Sequence, residues 1–159
     1  MPFLCVYPPS VPAGTIDDSS VIGAVDMLPT LCDMAGVGIP DTHRLDGENV
    51  RAAFEGGTHT REKSLVWEFA CHPMYGHVIN KSPVLAIRRG DYKLLLNPEK
   101  DRVELYNVAI DRSELKDLAE DQPEIVEQLS RELISWYENR PELVRNFKAG
   151  SNAYRWPGE

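Results

Sequence analysis

Alternating apolar and polar positions in the middle of the chain predict an antiparallel sheet. Tyr92, Leu94 and Leu96 share one face of one such stretch, and a period of two is typical of a strand with one buried face. Short turns, one of them at Gly90, separate successive stretches. The predicted strands are residues 64–69, 84–88, 92–96 and 102–106.

A helical spacing of apolar residues follows the sheet. Asp121 is expected as the N-cap, and Pro123 is expected in the first turn. Glu124, three residues after Asp121, makes this start resemble a capping box. The apolar positions are Ile125, Leu129, Leu133 and Trp136. An antiparallel sheet covered by one long helix is a small α+β unit.

The first residues are apolar without alternation. Phe3–Tyr7 is typical of a strand covered on both faces, and Pro8 stops it. A strand of this kind needs a neighbour on each side. We therefore expect at least one neighbour to come from outside this chain.

A second buried segment and a helix are predicted next. Residues 21–25 fit the buried segment, Asp26 fits a helix N-cap, and Gly36 fits a C-terminal stop. A weak second helix is expected at residues 50–54. The apolar positions of the first helix are Leu28, Leu31, Cys32 and Ala35.

Composition and charge exclude some classes of function. Of the 159 residues, 42% are hydrophobic and 26% are charged, which is ordinary for a globular protein. The net charge of -8 argues against a nucleic-acid partner, because phosphates need a basic face. No run is long enough to span a membrane, and the first residues do not form a signal peptide.

Candidate chemistry is sparse along the chain. There is no Gly-rich phosphate loop and no G-x-S-x-G motif, and the four histidines lack metal-ligand spacing. A polar loop within residues 70–82 is the best candidate for ligand contacts, since loops on a rigid sheet often carry them. The alternative is a surface loop without a ligand. The candidate substrate-binding residues are His72, Tyr75, His77 and Asn80.

Several segments resemble the sulfatase family, in the family's order. Residues 2–14 are similar to the sulfatase segment VPFIVRWPG-IPAG. Val25–Gly36 reads VDMLPTLCDMAG and resembles VDLLPTLLDLAG, and residues 45–47 match LDG. Residues 86–94 read AIRRGDYKL and resemble AVR-GDWKL, and residues 104–107 match ELYN. The resemblance ends near Trp136, with a departure at residues 112–113, where the family has Pro-Gly.

The resemblance implies a partial α/β fold of the alkaline-phosphatase-like sulfatase type. Residues 1–57 would be the C-terminal end of the large mixed-sheet catalytic domain. Residues 58–140 would be the small subdomain of antiparallel sheet and helix, and residues 141–159 a tail. The loop that holds His72 and Asn80 would then lie near the substrate cleft.

The family hydrolyses sulfuric esters with a formylglycine, made from C/S-x-P-x-R, and a calcium ion. Neither C-x-P-x-R nor S-x-P-x-R occurs in this chain, so no catalytic residue or metal ligand is assigned and both groups are expected in a preceding portion. The chain is expected to be inactive alone. Alternatives are a non-catalytic binding module, or a fragment of a related phosphate or phosphonate monoesterase.

The resemblance also implies partners. They are the N-terminal catalytic portion, or a second copy through the exposed apolar strand, and a sulfated small molecule or glycan as substrate. Neither nucleic acid nor a membrane is expected as a partner. Family members are often exported, periplasmic or lysosomal, and this chain does not identify its own compartment.

Overall fold

The computed structural model describes residues 3–69 and 82–140. The chain divides into two compact units, the first spanning Met1–Lys63 and the second Ser64–Glu159. The assignment of residues 1–57 to the end of a catalytic domain stays a prediction. Within the described ranges, no helix is long and apolar enough to cross a bilayer.

The second unit contains a four-stranded antiparallel meander. The strands pair in chain order, β1-β2-β3-β4, through hairpins between β2 and β3 and between β3 and β4. This confirms the predicted sheet to within two residues at every strand end. The strands are β1 Leu65–Glu68, β2 Leu85–Arg89, β3 Tyr92–Leu96 and β4 Val103–Asn107.

One face of this sheet forms the main hydrophobic core. Ile87 lies opposite Leu94, and Leu94 lies opposite Leu105, so the same face of three strands is fully buried. Helix α3, Pro123–Glu138, covers this face with Leu129 and Leu133. The helix predicted from the apolar spacing is therefore confirmed.

The predicted cap of α3 is wrong by one residue. Gln122 occupies the N-cap position and makes no side-chain capping bond, while Pro123 begins the helix as expected. Proline at the first position needs no amide partner and already has a helical φ, so the helix starts without a side-chain acceptor from Asp121.

The first unit contains two short helices joined by loops. Helix α1 spans Met27–Met34 after a 3₁₀ turn at Ala24–Asp26, and α2 spans Arg51–Phe54. Gly36 has φ of 67° and ends α1 as predicted. Its amide and that of Val37 donate to carbonyls within the last turn, 3.0 and 2.8 Å away.

The predicted strand at Phe3–Tyr7 does not form. Leu4 and Val6 are 86% and 76% exposed, and the described residues offer no neighbouring strand for the segment to pair with. The segment predicted as buried at residues 21–25 is also wrong at its end, because Val25 is 45% exposed on the 3₁₀ turn. Burial in α1 falls on Pro29 and Thr30 rather than on its leucines.

Candidate functional site

A buried polar cluster, the Asp26 cluster, lies in the first unit. It consists of Asp26, Glu48, His59 and Arg61. Asp26 is fully buried, and its carboxylate accepts hydrogen bonds from the amides of Gly23 and Glu48 at 2.7 and 2.9 Å. The Arg61 guanidinium pairs with the same carboxylate through Nη2.

The expectation that Asp26 caps helix α1 is therefore wrong at the side chain. Asp26 stands at the N-cap position, but its oxygens make no bond to the first turn of the helix. Donors distant in the chain, Glu48 and Arg61, occupy the carboxylate instead. A charge-assisted pair with the Arg61 guanidinium, together with the hydrogen bond from the Glu48 amide, is stronger than a capping bond to the first turn of α1.

The Glu48 carboxylate links the loop before α2 to residues 59–63 by hydrogen bonds. Its Oε2 lies 2.6 Å from His59 Nε2, and its Oε1 accepts the Glu62 amide at 3.0 Å and the Lys63 amide. The Lys63 ammonium donates back to the carbonyls of Leu45 and Gly47, at 2.8 and 3.0 Å. Residues 45–48 and residues 59–63 therefore each donate hydrogen bonds to, or accept them from, the other.

The sulfatase-like segments of the first unit meet at this cluster. A Cβ on Gly47 would lie 2.1 Å from the carbonyl oxygen of Val25, so only glycine allows this approach. One helical turn further on, the hydroxyl of buried Thr30 accepts the Val50 amide at 2.9 Å. The VDMLPT and LDG segments are therefore complementary parts of one packing contact.

Electrostatics keep both carboxylates of the cluster ionised. Burial raises the pKa of Asp26, but the amides of Glu48 and Gly23 and the Arg61 guanidinium outweigh it, and its pKa is lowered. Burial also opposes ionisation of Glu48. The Lys63 amide, His59 and Arg61 together lower the pKa of Glu48. Carboxylates saturated in this way stabilise structure and are poorly suited to accept a proton from a substrate.

A cavity of about 870 Å³ also opens in the first unit. Phe3–Tyr7 lines one side of it, and Phe54, Gly56 and Gly57 belong to the same lining. Phe3 stacks on Phe54 with ring centroids 5.4 Å apart. The lining is mostly apolar, and it also includes Asp17 and Ser20.

The four substrate-binding residues predicted from the sequence, His72, Tyr75, His77 and Asn80, lie outside the described residues. The structure describes only the strands that flank them: the Phe69 amide donates to the Val84 carbonyl at 2.7 Å, where β1 and β2 meet. Within residues 3–69 and 82–140, no three His, Cys, Asp or Glu side chains are placed to hold a metal ion.

Sequence reasoning missed the His59–Glu48 pair. Both residues lie in loops, 11 positions apart, and neither shows a periodic pattern. The sequence offers one signal for this pair: Glu48 directly follows Gly47, the last residue of the LDG segment.

A family model described as N-sulphoglucosamine sulphohydrolase, C-terminal, matches residues 1–139. The chain belongs to this family. The match covers both described units, and it includes the Asp26 cluster and the sheet with α3. The sulfatase resemblance of the sequence segments is thereby confirmed.

Two curated relatives carry the sulfatase name. A sulfatase from Formosa agariphila is 25% identical over an alignment of 149 residues that covers 86% of this chain and 26% of that protein. An uncharacterized sulfatase from Schizosaccharomyces pombe is 29% identical over an alignment of 136 residues that covers 80% of this chain and 23% of that protein. The chain spans about a quarter of the length of the curated relatives it matches.

Solved structures confirm the fold as that of the sulfatases. Ps i-CgsB is 26% identical with a TM-score of 0.63, over 82% of this chain and 27% of that one. It has also been crystallised in complex with k-i-k-neocarrahexaose. BT4656, in complex with its substrate D-glucosamine-2-N,6-O-disulfate, has a TM-score of 0.64 over 87% of this chain and 29% of that one. At 23% identity it supports the fold alone.

Proposed function

We propose that this chain is the C-terminal portion of a sulfuric ester hydrolase and does not turn over substrate alone. The family match over residues 1–139 carries the proposal. The sequence adds that neither C-x-P-x-R nor S-x-P-x-R occurs among the 159 residues, so the formylglycine precursor would come from elsewhere. The calcium ligands would come from the same catalytic portion.

The proposed role of this chain is to complete the fold of the enzyme. The sheet and α3 supply a buried hydrophobic core, and the Asp26 cluster holds the sulfatase-like segments around Gly47 in one arrangement. In the first unit, Leu4, Val6, Leu28 and Leu31 are more than half exposed. Apolar surface of this extent supports a covering partner, which we take to be the catalytic portion.

A sulfated glycan is the proposed substrate class. The family's description names a sulphohydrolase of N-sulphoglucosamine, and Ps i-CgsB was crystallised with an oligosaccharide. The proposed contacts in this chain are His72, Tyr75, His77 and Asn80, whose donors suit sulfate and hydroxyl oxygens. In the assembled enzyme, His77→Ala should raise KM for a sulfated glycan more than kcat falls, whereas unchanged KM values for alanine variants at all four positions would remove the loop from the substrate site.

The test of inactivity uses the purified chain, a fluorogenic aryl sulfate and calcium. The expected rate of sulfate release equals the rate in buffer. Turnover above that rate which disappears on replacing a single residue of this chain would contradict the proposal. A variant with Asp26→Asn serves as a control for contaminating sulfatase, since contamination is indifferent to it.

A further inference from the structure

Arg140 joins the end of helix α3 to the end of strand β1. Its Nη2 lies 2.5 Å from Glu68 Oε2, and its guanidinium lies over the rings of Trp136 and Tyr137, 4.6 and 5.0 Å from their centroids. The side chain of Glu68 is 9% exposed and that of Arg140 is 18% exposed. Solvent therefore screens this ion pair little, and each partner depends strongly on the other.

The end of β1 has few other contacts. Within the described residues, β1 pairs with a strand on one side only. Glu68 lies opposite Leu85, at the last paired position of β1. The next residue, Phe69, donates its amide to the Val84 carbonyl at 2.7 Å. These contacts form the base from which the β1–β2 connection leaves the sheet.

The Glu68–Arg140 pair has unused hydrogen-bonding capacity. Among the described residues, Glu68 Oε1 and the Nε and Nη2 groups of Arg140 are buried without a hydrogen-bond partner, so the contact between Nη2 and Oε2 is an ion pair without hydrogen-bond geometry. Buried polar groups without partners destabilise a folded state. A carboxylate oxygen accepts and a guanidinium N–H donates, so the pair is suited to hold both backbone groups of a peptide that passes it.

We propose that Arg140 and Glu68 are positioning residues, which fix the direction in which the β1–β2 connection leaves the sheet. The proposal rests on the proposed function, which assigns substrate contacts from His72 to Asn80, within this connection. Stacking on two rings restricts the guanidinium, and the ion pair then restricts the Glu68 carboxylate. Neither side chain would touch the substrate. Their effect would pass through the strand end at Phe69.

Amide hydrogen exchange on the purified chain tests the contact. Arg140→Gln should increase exchange at the Phe69 amide by at least about tenfold, because the strand end loses the charge that holds Glu68. The amide of Leu94, a fully buried residue of β3, should keep its protection. Arg131→Gln is the matched control, since Arg131 lies on the same helix and its ion pair is about three-quarters exposed. Equal exchange at Phe69 in the two variants would overturn the proposal.

A second variant removes the same ion pair from the strand side. Glu68→Gln preserves the shape of the side chain and should increase exchange at Phe69 as Arg140→Gln does, again with Leu94 protected. Loss of protection at both amides in both variants would overturn the proposal, because the pair would then stabilise the whole sheet and not its edge.

Kinetics of the assembled enzyme test the consequence for substrate. Arg140→Gln and Glu68→Gln should each raise the KM for an oligosaccharide ending in N-sulphoglucosamine by at least about threefold, with kcat nearly unchanged. The KM for an aryl sulfate should not change, because that molecule has no sugar for the connection to contact. A merely destabilised enzyme would instead lose rate with both substrates in equal proportion, and that result would overturn the proposal.

Failure of this proposal is distinguishable from failure of the proposed function. If His77→Ala raises the KM for the oligosaccharide and the Arg140 and Glu68 variants do not, the connection contacts substrate but the ion pair does not position it. If alanine variants at all four proposed contacts leave the KM unchanged, the proposed substrate contacts are wrong, and the positioning role is overturned with them.

Discussion

Replacing Asp26 with Asn removes one charge and one acceptor from the Asp26 cluster while preserving shape. Asp26 is fully buried, and Arg61 is 6% exposed at its side chain. The new amide nitrogen is a donor, so it cannot accept from both Gly23 and Arg61 as the carboxylate does. The buried Arg61 guanidinium then loses its ion-pair partner.

The expected loss is about 3–5 kcal/mol of unfolding free energy at neutral pH, the usual cost of removing one partner of a buried pair. The pKa of Asp26 is lowered in the folded state, so its contribution is complete above its ordinary unfolded value and lost as the pH falls through the lowered one. The difference between wild type and variant should therefore shrink below about pH 4.

Amide hydrogen exchange at Val50 provides the assay, because this amide donates to the buried hydroxyl of Thr30. The variant should exchange there about two to four orders of magnitude faster than the wild type at neutral pH, or show no protection. Glu127→Gln is the control, since its ion pair with Arg131 is about three-quarters exposed. If Asp26→Asn changes the rate as little as this control does, the cluster does not stabilise the unit.

Further predictions concern packing and pH. Gly47→Ala should destabilise by about 1–3 kcal/mol, because the new Cβ would lie 2.1 Å from the Val25 carbonyl oxygen. Gly38→Ala, which has open space around it, should change stability by less than about 1 kcal/mol. Equal urea midpoints for the two variants would contradict the close approach of Gly47 to Val25. Leu133→Ala should lower the free energy of unfolding in urea by about 2–5 kcal/mol. Leu115→Ala should lower it by only about 0.5 kcal/mol, because Leu115 is 86% exposed. Similar losses for the two variants would place Leu133 outside the core. Burial and the neighbouring Glu104 carboxylate raise the pKa of Tyr106 to about 12. The free energy of unfolding should therefore fall as the pH rises from the ordinary tyrosine pKa of 10.0 to about 12. Ultraviolet titration of Tyr106 that shows ionisation at the ordinary pKa would contradict this.

Short-range patterns predicted the second unit well. The bounds of β3, Tyr92–Leu96, agree with the prediction, and the helical spacing gave α3 with its buried Leu129 and Leu133. These elements depend on alternation and, for the β2–β3 and β3–β4 hairpins, on turns of two and six residues, which are local properties of the sequence. Tyr137, equally buried, was missed because Trp136 also fits the spacing.

The first unit was predicted less well because its contacts connect residues far apart. Asp26 was assigned from its position before a helix, but its partners Glu48 and Arg61 lie 22 and 35 residues away. Phe3–Tyr7 has the composition of a buried strand, yet a strand also needs a partner edge. Neither requirement can be read from the residues around a single position.

The most direct test of the central claim is to measure sulfate release after supplying this chain in trans. The catalyst would be the Formosa agariphila sulfatase, shortened by the stretch that matches this chain and given calcium. The account predicts release with both components present and none with either alone. If the relative's own missing stretch restores activity and this chain does not, then this chain is not a functional sulfatase C-terminal portion.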